Sequence, residues 1–151
     1  MKKIFGNLLS AHIIITVITV IIMALGHYSS ASAYISGIAV VLLYFLSGYL
    51  LTREKMNWYN YFGVACVGIA FFVICFIISP TATNYKRNHI AGLWFFYQLY
   101  ILAAMPFKFL LRSSENYSLV KQLIVDYLIP IAISGLQFFG GWVKLRFKKP
   151  E

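Results

Sequence analysis

Charge is what this chain has least of. Of its 151 residues only 11% are Asp, Glu, Lys or Arg, against ~25% in ordinary soluble domains. Acid is scarcer still, with four Asp and Glu residues against 13 Lys and Arg. With 61% apolar residues and a mean hydropathy of +0.79, these shortages exclude a soluble globular domain, a disordered chain and a coiled coil.

Several chemical signatures are missing as well. No HExxH, GxSxG, P-loop or GxGxxG pattern occurs, which argues against zinc protease, serine hydrolase and nucleotide-binding chemistry. Three histidines stand far apart in the chain. The two cysteines, Cys66 and Cys75, are nine residues apart in one apolar run. On a helix that spacing sets them on opposite faces about 13 Å apart along the axis, too far to pair. No metal and no cofactor is expected.

What the chain does have is long uncharged runs. Ile4 to Thr52, Met56 to Tyr85 and Asn88 to Phe107 contain no Asp, Glu, Lys or Arg. One bilayer crossing needs ~20 mostly apolar helical residues. The expected fold is all-α, a polytopic membrane helix bundle forming one domain over residues 1–151. Five segments are predicted, at about 8–27, 33–51, 61–79, 90–111 and 119–143. The fifth is expected to span, with a re-entrant course as the alternative. Lys108, near the end of the fourth, is placed to snorkel. Strands of an outer-membrane barrel would alternate apolar and polar residues, and these runs do not. Lys2-Lys3, an apolar run and Ala31-Ser32-Ala33 imitate a signal peptide. The run is longer than the ~7–15-residue core of such a peptide, so retention is expected.

The net charge of +9 is concentrated at segment ends. That reads as headgroup anchoring and topology signal, and nucleic acid is not an expected partner. With the N-terminus in the cytoplasm, Lys2, Lys3, Arg53, Lys55, Lys108 and Arg112 face inward and Lys86 and Arg87 outward. A spanning fifth segment then leaves Lys144, Arg146, Lys148 and Lys149 on the wrong side. The surplus of Lys over Arg and the many isoleucines fit a bacterial cytoplasmic membrane, by association only.

Helical spacing gathers polar and small residues into seams. Segment one offers His12, Thr16, Thr19, Met23 and His27. Segment two offers Ala33, Ser36, Gly37, Val40, Tyr44, Ser47 and Gly48. Segment three offers Tyr59, Gly63, Cys66 and Ala70, and segment five Gln122, Asp126, Ile133, Gln137 and Gly140. Such seams mark packing faces in lipid, where no hydrophobic drive brings helices together.

Asp126 is the one acid inside a predicted segment. A carboxylate there costs ~2.5–3.5 kcal/mol by insertion scales, so it needs a partner. Pro130, four residues on, cannot donate to the Asp126 carbonyl, so a free acceptor is expected there. His12 is the expected partner of the carboxylate. The candidate polar interior is Asp126, His12, Gln122, Gln137, Thr16 and Tyr44. Gln98 is expected to make an inter-helix hydrogen bond. Lys86, Arg87 and His89, at the start of segment four, are candidates for binding lipid headgroups.

The leading functional expectation is a non-catalytic accessory subunit, assembly partner or protective factor. Its partners would be the lipid bilayer and other membrane subunits or a second copy. The alternative is a small transporter or lipid-handling protein with a protonatable Asp126/His12 pair. An intramembrane enzyme is the third reading.

Overall fold

The computed structural model describes residues 2–27, 29–52, 57–78, 91–112 and 119–147. These residues are helical throughout apart from short turns. Helices α1 (Lys2–Leu25) and α2 (Ser30–Leu51) are followed by a 3-10 turn (Trp58–Phe62) that leads into α3 (Gly63–Ile78). Then come α4 (Ala91–Tyr100), a second 3-10 turn (Leu102–Ala104), α5 (Met105–Arg112) and α6 (Leu119–Phe147). Four stretches are long and apolar enough to cross a membrane: Gly6–Leu25, Ser30–Leu51, Tyr59–Ile78 and Lys121–Phe147.

The middle of α1 is rich in Ile, Val and Thr, β-branched residues of modest helix propensity in water. In an apolar surround the constraint is different. Every backbone donor and acceptor must be satisfied within the segment, and a helix does this whatever its side chains. Ile13, Ile14, Val17 and Ile21 point outward from α1, as Ile35, Ile38, Leu42 and Leu46 do from α2. An apolar exterior of this extent suits lipid and not water.

The turn after α1 is built by its sequence. His27 takes a left-handed conformation (φ 50°), and the Ser29 side chain caps α2 by accepting from the Ser32 amide at 3.2 Å. The short connection returns α2 antiparallel to α1. Ser36 Oγ meets Met23 Sδ at 3.1 Å near the turn, and His12 meets Tyr44 further along.

Pairwise contacts fix the direction of α6. Val40 and Tyr44 share a cluster with Ile133, Ser47 bonds Gln137, and Thr52 bonds Lys144. The residue numbers rise together, so α6 runs parallel to α2. Against α3 they run in opposition: Ala65 bonds Ser134, Gly68 faces Pro130 and Phe72 meets Tyr127. The α2–α6 contact is the most extensive in the fold. It depends on two glycines, because a Cβ on Gly48 would strike the Gln137 carbonyl and one on Gly140 the Phe45 carbonyl. Small residues allow this approach of backbones in the absence of a hydrophobic drive. At the far end Lys144 Nζ donates to the Thr52 and Leu50 carbonyls at 2.8 and 3.3 Å. A cation thereby covers the C-terminus of α2.

The segment expected as the fourth span is two short helices. Down α4, Trp94 meets Phe72, Tyr97 meets Phe71 and Tyr100 OH reaches the Val64 carbonyl. The chain is therefore descending toward the start of α3. Ala103 sits with Tyr44 and Val40, while Pro106 and Phe107 lie against Gly37. It has turned back toward the start of α2, so α4 and α5 form a helical hairpin. The cause is local: Ala104 N donates to the Ile101 carbonyl in a 3-10 turn, and Pro106 has no N–H to continue an α-helix through the break. Pro106 falls in the first turn of α5, where a missing donor does no harm.

Burial follows the expected seam in α2, where Ala33, Ser36, Gly37, Val40, Tyr44 and Gly48 all face inward. The seam in α3 is corrected. Tyr59, Cys66 and Ala70 are exposed, Gly63 is buried as expected, and the inward face also carries Tyr61, Val64, Ala65, Gly68 and Cys75. Cys66 and Cys75 are both free thiols.

Candidate functional site

Two polar clusters in the interior each engage α4. The first is built on the Tyr100 carbonyl. Because the chain enters a 3-10 turn, the amide of Ala104 turns to Ile101 and the Tyr100 carbonyl loses its α-helical donor. His12 Nε2 takes that place at 2.9 Å. A carbonyl only accepts, so Nε2 carries the proton. In the neutral ring Nδ1 then accepts from the Tyr44 hydroxyl at 2.6 Å. Thr16, one turn on, donates back to the His12 carbonyl at 2.9 Å. His12, Tyr44 and Tyr100 thus tie α1, α2 and the hairpin together.

The second cluster is centred on Asp126, a buried residue in the first half of α6. Lys108 Nζ lies 2.6 Å from Asp126 Oδ1. This contact is an ion pair and not a well-angled hydrogen bond. Gln98 Nε2 donates to Asp126 Oδ2 at 2.8 Å, and Gln98 Oε1 accepts from Lys108 Nζ at 2.6 Å. The three side chains close a ring across α4, α5 and α6. Tyr97 OH adds a bond to the Asp126 backbone carbonyl at 2.5 Å. This is the carbonyl that Pro130 leaves without a donor.

The ring follows from the hairpin. Gln98 and Lys108 are ten residues apart, about 15 Å along a continuous helix. Only a chain that doubles back brings their side-chain ends together. The Asp126 side chain is 2% exposed, whereas Lys108 is 18% exposed. On its open side a groove of about 190 Å³ is bordered by Gln98, Ile101, Leu102, Met105, Lys108 and Phe109. A second, apolar groove of about 270 Å³ lies between α2, the hairpin and α6, with Val40, Phe107, Val125 and Ile133 among its walls.

The expected contact between Asp126 and His12 is corrected. Both His12 nitrogens are bonded elsewhere, and the carboxylate is held by Lys108 and Gln98. Of the candidate interior residues, His12, Tyr44 and Thr16 come together in one cluster and Asp126 belongs to the other. Gln122 is half-buried one turn before Asp126. Gln137 forms a third position, where Nε2 donates to Ser47 Oγ at 3.3 Å and buried Oε1 has no hydrogen-bond partner. His27 is exposed, and Lys86, Arg87 and His89 lie outside the described residues. Among the described residues no three His, Cys, Asp or Glu side chains gather where they could hold a metal ion.

Sequence reasoning set Lys108 at the membrane face, which its ion pair with Asp126 corrects, and passed over Tyr97 and Tyr100. The signal for Lys108 was Pro106, two residues earlier in a segment that also has to cover Gln98. Comparison with known proteins leaves the geometry to stand alone: no family model, curated protein or solved structure matches this chain.

Proposed function

We propose that this chain is a small, non-catalytic multi-pass protein of the bacterial cytoplasmic membrane, acting as an accessory subunit, assembly partner or protective factor. The observation that carries this reading is where the interior polar groups make their bonds. Asp126 is engaged by Lys108, Gln98 and Tyr97, and His12 by Tyr44 and Tyr100. These bonds run between separate elements of the fold. Side chains used in this way fix a bundle in lipid, where packing and hydrogen bonds replace the hydrophobic drive.

In this reading α1, α2, α3 with its leading turn, and α6 cross the bilayer. The α4–α5 hairpin enters and leaves by one face. Irregular backbone at its tip is tolerated because the tip is buried in protein, and Ile101, Ala103 and Ala104 are buried. Four crossings put both termini on one side. Lys2, Lys3, Arg53, Lys55, Lys144, Arg146, Lys148 and Lys149 then share that side. They outnumber Lys86, Arg87, Arg112 and Lys121 on the other. The positive-inside rule makes the richer side cytoplasmic. The tail that did not fit a five-crossing arrangement fits this one.

The partners are the lipid bilayer and other membrane subunits or a second copy. The test is purification of the tagged full chain from its native membranes in mild detergent. A stoichiometric membrane partner whose abundance falls when this chain is deleted supports the reading. A chain that purifies alone and moves a solute across liposomes on its own contradicts it.

One observation favours a second reading, a small transporter or lipid-handling protein. The groove between α4 and α5 reaches Lys108 and Gln98, so a polar group can approach the ion pair from outside the bundle. Solute or lipid movement by the purified chain, abolished in Asp126→Asn, would favour this alternative.

A further inference from the structure

We propose that the last turns of α6, with the facing end of α2, form a binding site for an anionic phospholipid. Lys144 and Arg146 supply the positive charge for its headgroup, and a strip of aromatic rings below them receives its acyl chains. The proposal rests on α6 crossing the bilayer and not on the accessory role.

The strip is laid across the two helices. Phe45 on α2 meets Phe139 on α6 with ring centres 5.8 Å apart, and Phe139 is stacked on Trp142, also at 5.8 Å. Tyr49 stands one turn beyond Phe45 on the same face of α2. Tyr49, Phe139 and Trp142 are each more than a third exposed. Helix α6 has 29 residues, about 43 Å against a hydrocarbon core of ~30 Å, so its end reaches the headgroups. Trp142 marks that level, where indole rings prefer to sit.

A cation stands over each end of the strip. Lys144 Nζ is 5.8 Å from the centre of the Tyr49 ring, and the guanidinium carbon of Arg146 is 4.9 Å from that of Trp142. Lys144 directs donors to the Leu50 and Thr52 carbonyls, and an ammonium has a third. Arg146 sits over the indole, and a guanidinium held there keeps N–H donors for other partners. Its fork matches two oxygens of one phosphate. Among the described residues Asp126 is the one acid, 18 residues before Lys144 and about 27 Å back along α6. No described carboxylate neutralises the two cations.

The arrangement also selects the charge of the lipid. A choline headgroup carries the same phosphate, but its quaternary ammonium needs an open aromatic face. Here the faces of Tyr49 and Trp142 are already covered by cations. A choline would meet Lys144 and Arg146 as like charges. A phosphatidylglycerol headgroup has the phosphate without the ammonium. Each Lys or Arg at a membrane surface strengthens attraction to anionic lipid about fivefold, an effect that salt screens.

Native mass spectrometry of the full chain tests this, with delipidated protein titrated with phosphatidylglycerol or phosphatidylcholine of the same acyl chains. At low salt the first phosphatidylglycerol should bind at least about tenfold tighter than phosphatidylcholine. Arg146→Gln, a change at an exposed position, should keep the unfolding midpoint and lose about fivefold of that preference. Adding Lys144→Gln should bring the ratio close to one. If the double variant fails to fold, Arg146→Gln alone decides. A large excess of glycerol 3-phosphate should leave the bound lipid in place. Equal affinity for the two lipids overturns the proposal, as does a preference unchanged in Arg146→Gln. Displacement by glycerol 3-phosphate overturns it by assigning the site to a soluble anion. Flotation of the chain with phosphatidylcholine liposomes separates the two failures: a chain that floats but shows no preference lacks only the site, whereas one that does not float lacks the crossing as well.

Discussion

The Tyr97 hydroxyl donates to the Asp126 carbonyl at 2.5 Å, the acceptor left open by Pro130 four residues later. One bond therefore joins a proline-made gap in α6 to the first arm of the hairpin. Tyr97 is fully buried, so its hydroxyl and that carbonyl depend on each other.

Tyr97→Phe should destabilise the protein by about 1–3 kcal/mol, because a buried carbonyl loses its donor. Thermal unfolding in detergent measures this. In a Pro130→Ala background residue 130 supplies an amide to the Asp126 carbonyl. There the cost of Tyr97→Phe should shrink to well under half. An equal cost in both backgrounds would show that the hydroxyl serves some other group.

Lys108 and Asp126 should behave as a pair. Lys108→Met takes its cation from the buried Asp126 carboxylate, at a cost of about 3–5 kcal/mol, and Asp126→Leu takes the carboxylate from Lys108 at a smaller one. The double variant removes both charges and should recover most of that loss. A double-mutant cycle on unfolding midpoints checks it. Simple addition of the two losses would mean that the residues do not act on each other.

Glycine sensitivity should differ sharply within α2 and α6. Gly48→Ala pushes a Cβ into the Gln137 carbonyl, so α2 and α6 cannot keep their approach and membrane abundance should fall severalfold. Gly135 has open space around its Cβ position. Gly135→Ala should keep normal abundance and gain up to about 1 kcal/mol from helix propensity. Immunoblotting of membrane fractions separates the two.

His12→Leu removes two bonds at once, to Tyr44 and to the Tyr100 carbonyl. It should cost more than Tyr44→Phe, which removes one. Each abandoned buried group is worth about 1–3 kcal/mol, so unfolding midpoints should rank wild type, Tyr44→Phe, then His12→Leu.

Much of this arrangement was legible before any coordinates. The α2 face from Ala33 to Gly48 stood out because small and hydroxylated residues recur at helical spacing among large aliphatic ones. The open carbonyl at Asp126 followed from Pro130, and the inter-helix bond of Gln98 from its place in an apolar run. The α3 face did not stand out. Nearly every position from Gly63 to Ile78 is apolar, so no contrast marks the inward side, and of the stripe Tyr59, Gly63, Cys66 and Ala70 only Gly63 faces inward. The hairpin was hidden by length. Residues 90–111 are long enough to cross, and nothing short of weighing Pro106 against the demands of Lys108 divides them. Once they are divided, the cation moves from a membrane face to the depth of Asp126. His12 is then free to serve a carbonyl that exists only because α4 stops.

The central claim is that residues 91–112 fold back as a hairpin and do not cross. Side-specific labelling of the two chain ends tests it most directly, with one small accessibility tag fused at Met1 and another at Glu151 in intact cells. The hairpin predicts that both tags are protected and become reactive together when the membrane is permeabilised. A tag at Glu151 that reacts in intact cells while the tag at Met1 stays protected would contradict it.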